Sequence, residues 1–296
     1  MKRLDPVFGR KSQLGDYKPV QELNLLIYAV GDIHGRYDLL RLLLAELVAD
    51  SRARAPERPP QLIFCGDYID RGPDSAKVLE ALVQLCALAD FDVRLLKGNH
   101  EQALLEFIED PTEGAPWIDY GGAQTLRSYG LKVSDSNNNE ALWRLRDQLL
   151  GAMPASHLRL LQQLHLIHVL EDYAFVHAGV RPNIPFDAQI EDDLLWIRQD
   201  FLEAKGPFEK VIIHGHTWVG DQPTRTSHRI GIDTGAYATG VLTAVRLDRG
   251  DVGFLQAKAS ATASLAPASG ALPSSPKRYS PPVEQARAST ISSKPP

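Results

Sequence analysis

Between residues 25 and 110 the chain three times runs from a short apolar segment, through a turn rich in glycine and charge, into a helical stretch. LLIYAV (25–30) leads into GDIHG (31–35) and YDLLRLLLAELVADSRA; QLIFC (61–65) leads into GDYIDRG (66–72) and SAKVLEALVQLCALA. FDVRLL (91–96) then leads into GNHE (98–101) and EQALLEFIED. A repeat of strand, loop and helix at about 30 residues is the pattern of βαβ units, because a parallel strand is reached only by a crossover. The constraint extends to the turns. An ordinary turn needs about one glycine and one aspartate, whereas GDYIDRG carries two glycines, two acids and an arginine.

The rhythm breaks after residue 110. Residues 111–164 hold Gly121-Gly122, an asparagine run at 137–139 and amphipathic stretches near 140–150 and 155–164, which together predict an inserted helical cap. LHLIHVL and YAFVHAG read as neighbouring strands, followed by a helix near 191–204 and the strand VIIHGH. RIGID, GVLTAVRL and VGFLQA predict further, mostly antiparallel, strands. The expected fold class is α/β: a central mixed β-sandwich flanked by helices in four layers, α/β/β/α, with the small cap. Residues 1–24 are expected to form a polar arm and 25–257 the folded domain. Residues 258–296, dominated by Ala, Ser and Pro, have too little apolar surface to offset their ordering entropy and are expected to be disordered.

A formal charge of −5 argues against a broad basic surface for bulk nucleic-acid binding. Cys65 lies in an apolar strand and Cys86 in a helical stretch, so both are expected as core fillers of a protein in a reducing compartment. The N-terminus lacks the apolar region of a signal peptide, and runs such as LLIYAV are too short to span a bilayer. A soluble cytoplasmic protein with no membrane partner is the expectation.

The charged turns share one place in this architecture. Asp32 and His34 follow the first strand, Asp67, Asp70 and Arg71 the second, and Asn99 and His100 the third. His177 follows YAFV, and His214 and His216 follow or close VII. Carboxyl ends of parallel strands face a common crevice where ligands collect. Acids and imidazoles meeting there with nothing between them would repel or lose hydration, and divalent cations resolve that conflict. Mixed oxygen and imidazole donors without thiolates suit Mn, Fe, Zn, Ni or Co. Taken singly, Asp32 could serve a turn and His100 a helix start; five such places at successive strand ends make coincidence a poor account.

GDIHG, GDYIDRG, GNHE, HAG and GHT, in that order, resemble the calcineurin-like metallophosphoesterase superfamily, and more narrowly its phosphoprotein phosphatase family with compact bacterial and phage members. The resemblance spans residues 25–257. It implies two divalent metal ions, with Mn the first choice. Asp32, His34 and Asp67 would hold one, and a bridging Asp67 with Asn99, His177 and His216 the other. His216 rather than His214 is implied by GHT. Many other metallophosphoesterases, nucleases included, read GHxH there, whereas this chain has Trp218 in that place. The resemblance further implies that hydroxide formed between the ions attacks phosphorus in line, without a phosphoenzyme. Asp70 would orient His100, the general acid, while Arg71, Arg198 and Asn99 bind the phosphoryl group. Tyr237 is a weaker candidate for the pocket lining, and His157, His165, His168 and His228 match no motif.

The function implied is a bacterial-type serine/threonine protein phosphatase acting on a phosphorylated protein or a small phosphate ester. The alternative is a symmetrical bis(5'-nucleosyl)-tetraphosphatase or nucleotide-cap RNA pyrophosphohydrolase acting on a dinucleotide or capped RNA. Those enzymes commonly depart from the motifs at the places of Asp70 and of the last residue of GNHE, and this chain departs at neither. A non-catalytic binding module would show eroded ligands, and none is eroded.

Overall fold

The computed structural model describes residues 25–133 and 138–259; the expected arm, residue 137 of the asparagine run, and the tail from residue 260 lie outside the described residues. The three opening repeats form β1 (Ile27–Val30), α1 (Tyr37–Arg54), β2 (Gln61–Phe64), α2 (Ser75–Cys86), β3 (Asp92–Leu95) and α3 (Asn99–Glu109). The middle segment forms α4 (Ala123–Ser128), α5 (Asn139–Ala152) and α6 (Ala155–Gln162). Then come β4 (Ile167–Leu170), β5 (Tyr173–Val176), α7 (Glu191–Trp196), α8 (Gln199–Leu202) and β6 (Val211–His214). β7 (Thr224–Arg225), β8 (Arg229–Gly231), α9 (Ala236–Thr239), β9 (Val241–Asp248) and β10 (Asp251–Lys258) complete the order.

The strands make two five-stranded mixed sheets, ordered β10-β9-β1-β2-β3 and β4-β5-β6-β8-β7. β1, β2 and β3 run parallel, as the crossover helices require. The period-2 alternation of each strand sorts its side chains into two cores. Ile27 and Ala29 of β1 point into a cluster with Ile63, Phe175, Ile213, Ile230 and Val245, which joins the two sheets face to face. Tyr28 and Val30 point the other way, against Leu39, Leu40, Leu43 and Leu47 of α1, Leu79 and Leu82 of α2 and Phe107 of α3. Each such fully buried leucine is worth ~1.5–3 kcal/mol relative to exposure. On the second sheet, Ala174, Val176 and Ile212 pack with Leu194, Ile197 and Phe201 of α7, α8 and their junction. Three cores between four layers give the α/β/β/α architecture.

The middle helices carry Leu126, Leu142, Leu145, Leu149 and Leu161 into the same core as α1–α3. The expected helix over 191–204 is two helices, broken where buried Ile197 turns to extended backbone (φ −59°, ψ 142°) and Arg198 follows at φ −131°, ψ −100°. β9 and β10 are antiparallel as expected, but β8 runs parallel to β6, since the loop between them recrosses through β7. Cys65 is buried and Cys86 exposed. The buried stripe of α2 runs Val78, Leu79, Leu82, Leu85; Cys86, four residues after Leu82, shares that face but is the last residue of the helix, where it is exposed. Among the described residues, no helix is long and apolar enough to cross a membrane.

Candidate metal centre

Three parallel strands of the first sheet and two of the second end at one crevice. Beyond β1 lie Asp32 and His34, beyond β2 Asp67, Asp70 and Arg71, and at the start of α3 Asn99 and His100. His177 follows β5 and His216 follows β6. Asp32, His34, Asp67, Asp70, Asn99, His100, His177 and His216 are all buried. The backbone is forced to deliver them. His34, Asp67, Asp70, Arg71 and His216 all have left-handed φ, between 47° and 71°. They are five of the nine non-glycine residues in that region among the described residues, and such strain persists only where the surroundings impose it.

One carboxylate holds the loops in register. Glu101, fully buried in the first turn of α3, accepts from Asp67 N (2.8 Å), Gly98 N (2.9 Å) and Tyr68 N (2.8 Å). The bond to Gly98 is the reach-back half of a capping box, from the third helical residue to the N-cap. The other two reach across to the β2 loop, and in return His100 N donates to Asp67 Oδ1 at 3.2 Å. Gly98 has to be glycine, because a Cβ there would collide with the backbone nitrogen and carboxylate of Asp67. Burial and Asp67 raise the Glu101 carboxyl above its ordinary value in spite of its donors.

Two sets of donor atoms converge, sharing Asp67. His34, Asp67 and His100 form one, and Asp67, His177 and His216 the other, with the atoms of each set within 4.8 Å of one another. Asp67 turns Oδ2 to His34 Nε2 (3.4 Å) and Oδ1 to His177 Nε2 (3.5 Å), one oxygen to each side. Asn99 Oδ1 lies 2.8 Å from His177 Nε2 and 3.0 Å from His216 Nδ1. Asp32 joins neither set; both its oxygens accept from His216 N, at 3.0 and 3.2 Å.

The tautomers decide what this geometry can hold. His34 Nδ1 is 2.9 Å from the Ile69 carbonyl and His177 Nδ1 is 2.8 Å from the Cys65 carbonyl. A carbonyl can only accept, so Nδ1 carries the proton and each Nε2 offers a lone pair to the crevice. Burial drives the pKa of His34, His177 and His216 below the ordinary histidine value, which keeps the rings neutral. His177 Nε2 therefore confronts the oxygens of Asn99 and Asp67 as acceptor against acceptor. A cation among them satisfies all three. The carboxylates raise the same demand. Burial, with Asp233 and Asp67, pushes Asp32 well above its ordinary value, and burial is also the chief cause that pushes Asp233 up to about 7. Burial opposes ionisation of Asp67 too, and the imidazoles around it, His177 foremost, hold it low only when they carry charge. The donor set thus fits two oxygen- and nitrogen-liganded divalent cations.

Beside the donors sits a pair of different character. His100 Nδ1 is 2.6 Å from Asp70 Oδ2, and burial of the ring is more than offset by Asp67 and Asp70, so its pKa is raised. Arg71 donates to His34 Nε2 (3.2 Å) and has Nη2 2.9 Å from His100 Nε2, with its guanidinium 4.8 Å from the centre of the Tyr237 ring. Tyr237 itself stands edge-on to His34 at 5.2 Å. Arg198 is exposed and donates to Thr217 Oγ1 at 3.3 Å. Burial of its head group and Arg71 lower its pKa against Asp67, Asp233 and Asp32, so it shares the field of the crevice. His214 is turned away, edge-on to Phe201, with Nδ1 against the Gly215 carbonyl. His157 bonds Tyr129 and Glu80, and His168 bonds Gln61, both outside the two donor sets.

Sequence reasoning missed Asp233, the loop-tying role of Glu101, and the groups behind Asp70. Asp233 could have been sought in IDTG, an acid following an apolar strand like Asp32 and Asp67.

A family model described as calcineurin-like phosphoesterase matches residues 25–237. The "Serine/threonine-protein phosphatase 2" of Escherichia coli (strain K12) is 32% identical over 228 residues, covering 73% of this chain and 90% of that relative. The "Bis(5'-nucleosyl)-tetraphosphatase PrpE [asymmetrical]" of Bacillus mycoides (strain KBAB4) is 28% identical over 237 residues, covering 73% and 88%. This tetraphosphatase is of the asymmetrical type, where the alternative drawn from sequence was the symmetrical one. A crystal structure provisionally described as a diadenosine tetraphosphatase superposes with a TM-score of 0.52 at 20% identity, covering 80% of this chain and 96% of that one, a likeness of fold.

Proposed function

Since the chain belongs to the calcineurin-like phosphoesterase family, whose members hydrolyse phosphate esters, we propose that it is a phosphomonoesterase of the serine/threonine protein phosphatase type working with two divalent ions, Mn first among them. When bound, the two ions supply a water nucleophile of lowered pKa and neutralise charge that develops on the phosphoryl oxygens. Asp67 would be shared between them, Asp32 and His34 would complete one ligand set, and Asn99, His177 and His216 the other.

The remaining steps belong to other side chains. Arg71 at the crevice mouth offers its guanidinium to two phosphoryl oxygens, a planar fork suited to that geometry, and Arg198 is the second clamp. Asn99, at the first position of α3, adds its amide to the phosphate contacts. Arg71 Nη2 and His100 Nε2 are 2.9 Å apart, so a phosphoryl group held by Arg71 lies beside the imidazole. As the P–O bond breaks, His100 passes its Nε2 proton to the departing oxygen, and Asp70 stabilises the imidazolium beforehand and fixes its orientation. The observation that carries the reading is the 2.6 Å Asp70–His100 contact next to Arg71, a built acid for a poor leaving group. An alkoxide of serine needs such an acid far more than a nucleotide phosphate does.

A tetraphosphatase reading is kept by the Bacillus relative. Mn-loaded protein assayed on a phosphoserine peptide and on diadenosine tetraphosphate separates the two. A higher kcat/KM on the peptide is expected, and a large preference for the dinucleotide would replace the proposal.

A further inference from the structure

The segment Trp117-Ile-Asp-Tyr-Gly-Gly-Ala-Gln-Thr125 carries no metal-ligand motif, yet it forms the back wall of the acid pair. Trp117 is 3% exposed, with its ring 5.1 Å from that of Phe107. Its indole Nε1 donates to Asp70 Oδ2 at 2.7 Å, the same oxygen that meets His100 Nδ1. Thr125, fully buried, donates from Oγ1 to Asp70 Oδ1 at 2.6 Å and accepts from Asp70 N at 2.9 Å. Between them the Gly121 carbonyl accepts from Arg71 N at 3.2 Å.

The spacing has a physical origin. Trp117 and Thr125 lie on two helical segments that meet at a kink. The kink falls at Gly121 (φ 122°, ψ −8°), which brings its carbonyl against Arg71. A Cβ on Gly121 would come within 2.9 Å of Arg71 Cγ and 3.1 Å of Asp70 Cβ. The strain described above supplies the reason for a wall here: Asp70 (φ 71°) and Arg71 (φ 65°) are consecutive residues in the left-handed region. A carboxylate has about four lone-pair positions. With Trp117 on one oxygen and Thr125 on the other, a single rotation of the Asp70 carboxylate remains that still offers Oδ2 to His100.

We infer that Trp117 and Thr125 are positioning residues for proton transfer, holding Asp70 so that His100 presents its Nε2 to the leaving oxygen. This rests on the reading of His100 as the acid. Neither residue touches the metal donors, so the wall acts on leaving-group protonation and leaves ion binding alone.

The test compares Trp117→Phe, Thr125→Val and Thr125→Ser with His100→Asn. Each is assayed on a phosphoserine peptide and on p-nitrophenyl phosphate, whose leaving group needs little protonation. Trp117→Phe and Thr125→Val should each lower kcat on the peptide about tenfold or more, with smaller losses on p-nitrophenyl phosphate, unchanged KM and unchanged metal content. Thr125→Ser keeps the hydroxyl and should stay within about threefold of the parent. In metal-free protein, the downfield imidazole proton that vanishes in His100→Asn should shift or broaden in Thr125→Val. Equal losses on both substrates, loss of metal, or Thr125→Ser as impaired as Thr125→Val would overturn the inference. Should Trp117→Phe not fold, the threonine pair carries the test. If His100→Asn itself lacks leaving-group dependence, the acid role falls and the inference with it. If His100→Asn has that dependence and the wall variants lack it, the inference alone falls.

Discussion

At the carboxyl ends of β1–β3 buried acids face one another, while at the opposite end of the same sheet acids alternate with arginines. The register of β1 against β9 sets the two apart, since Val30 pairs with Ala244 and Ile27 with Leu247, next to the β9–β10 turn. At that turn Asp50 accepts from Tyr28 (2.6 Å) and Arg54 (3.0 Å), Asp248 accepts from Arg54 (2.6 Å), and Asp251 from Arg246 (2.5 Å). Every carboxylate there has an arginine. In the crevice, Asp32, Asp67 and Asp233 repel one another and the lone pairs of His177 and Asn99 meet head on. The difference teaches that charge density alone marks nothing. Unresolved like charge, held in strained loops, marks a place built for something to be added, because stability favours the alternating arrangement.

The contrast can be broken by substitution. The largest expected effect is Asp67→Asn, which removes the carboxylate both donor sets share. Activity should fall by about a thousandfold or more, with metal content well below two equivalents by elemental analysis. Two full equivalents would contradict the shared role.

A smaller effect has opposite signs at the two ends. In metal-free protein, Asp32→Asn relieves the conflict with Asp233 and should raise thermal stability by about 1 kcal/mol, while Asp50→Asn should lower it by a similar amount. Thermal melts in chelator decide it, and a destabilised Asp32→Asn would show that the crevice is less frustrated than its geometry implies.

The smallest effect concerns pH. At Asp50, burial raises the pKa, but the Tyr28 hydroxyl, Arg54 and Arg246 more than offset it, leaving a folded value below the ordinary 3.8. Its stabilisation is thus present above that value and disappears as pH falls through the folded one. Tyr28→Phe removes one donor at a cost of about 1 kcal/mol near pH 7. Its deficit relative to the parent should shrink in urea melts only as pH falls through the folded Asp50 value, below 3.8, since under it Asp50 is protonated in both. A deficit independent of pH would assign the loss to packing.

Much of this was legible in the sequence because its signals are local. A period-2 run, a glycine–acid turn and a helical stripe each lie within a few residues, and three repeats in succession fix which strand ends face one crevice. The wall behind Asp70 was not legible. Its bonds join residues 47 and 55 positions apart and depend on a kink at Gly121 that has no period of its own. The break at Ile197 was hidden for a related reason: no glycine or proline marks it, and burial of the isoleucine beside Phe201 accompanies it. Cys86 was misplaced because its apolar character and its helical phase both suit the core, whereas it ends α2 and is exposed there.

Glu101 gathers two loops and a helix start onto a single carboxylate, so the β2 turn and the first turn of α3 form one mechanical piece. Whoever transplants these loops into another scaffold has to carry that knot along with the ligands. Left behind, it would turn a socket of fixed spacing into two hinged jaws.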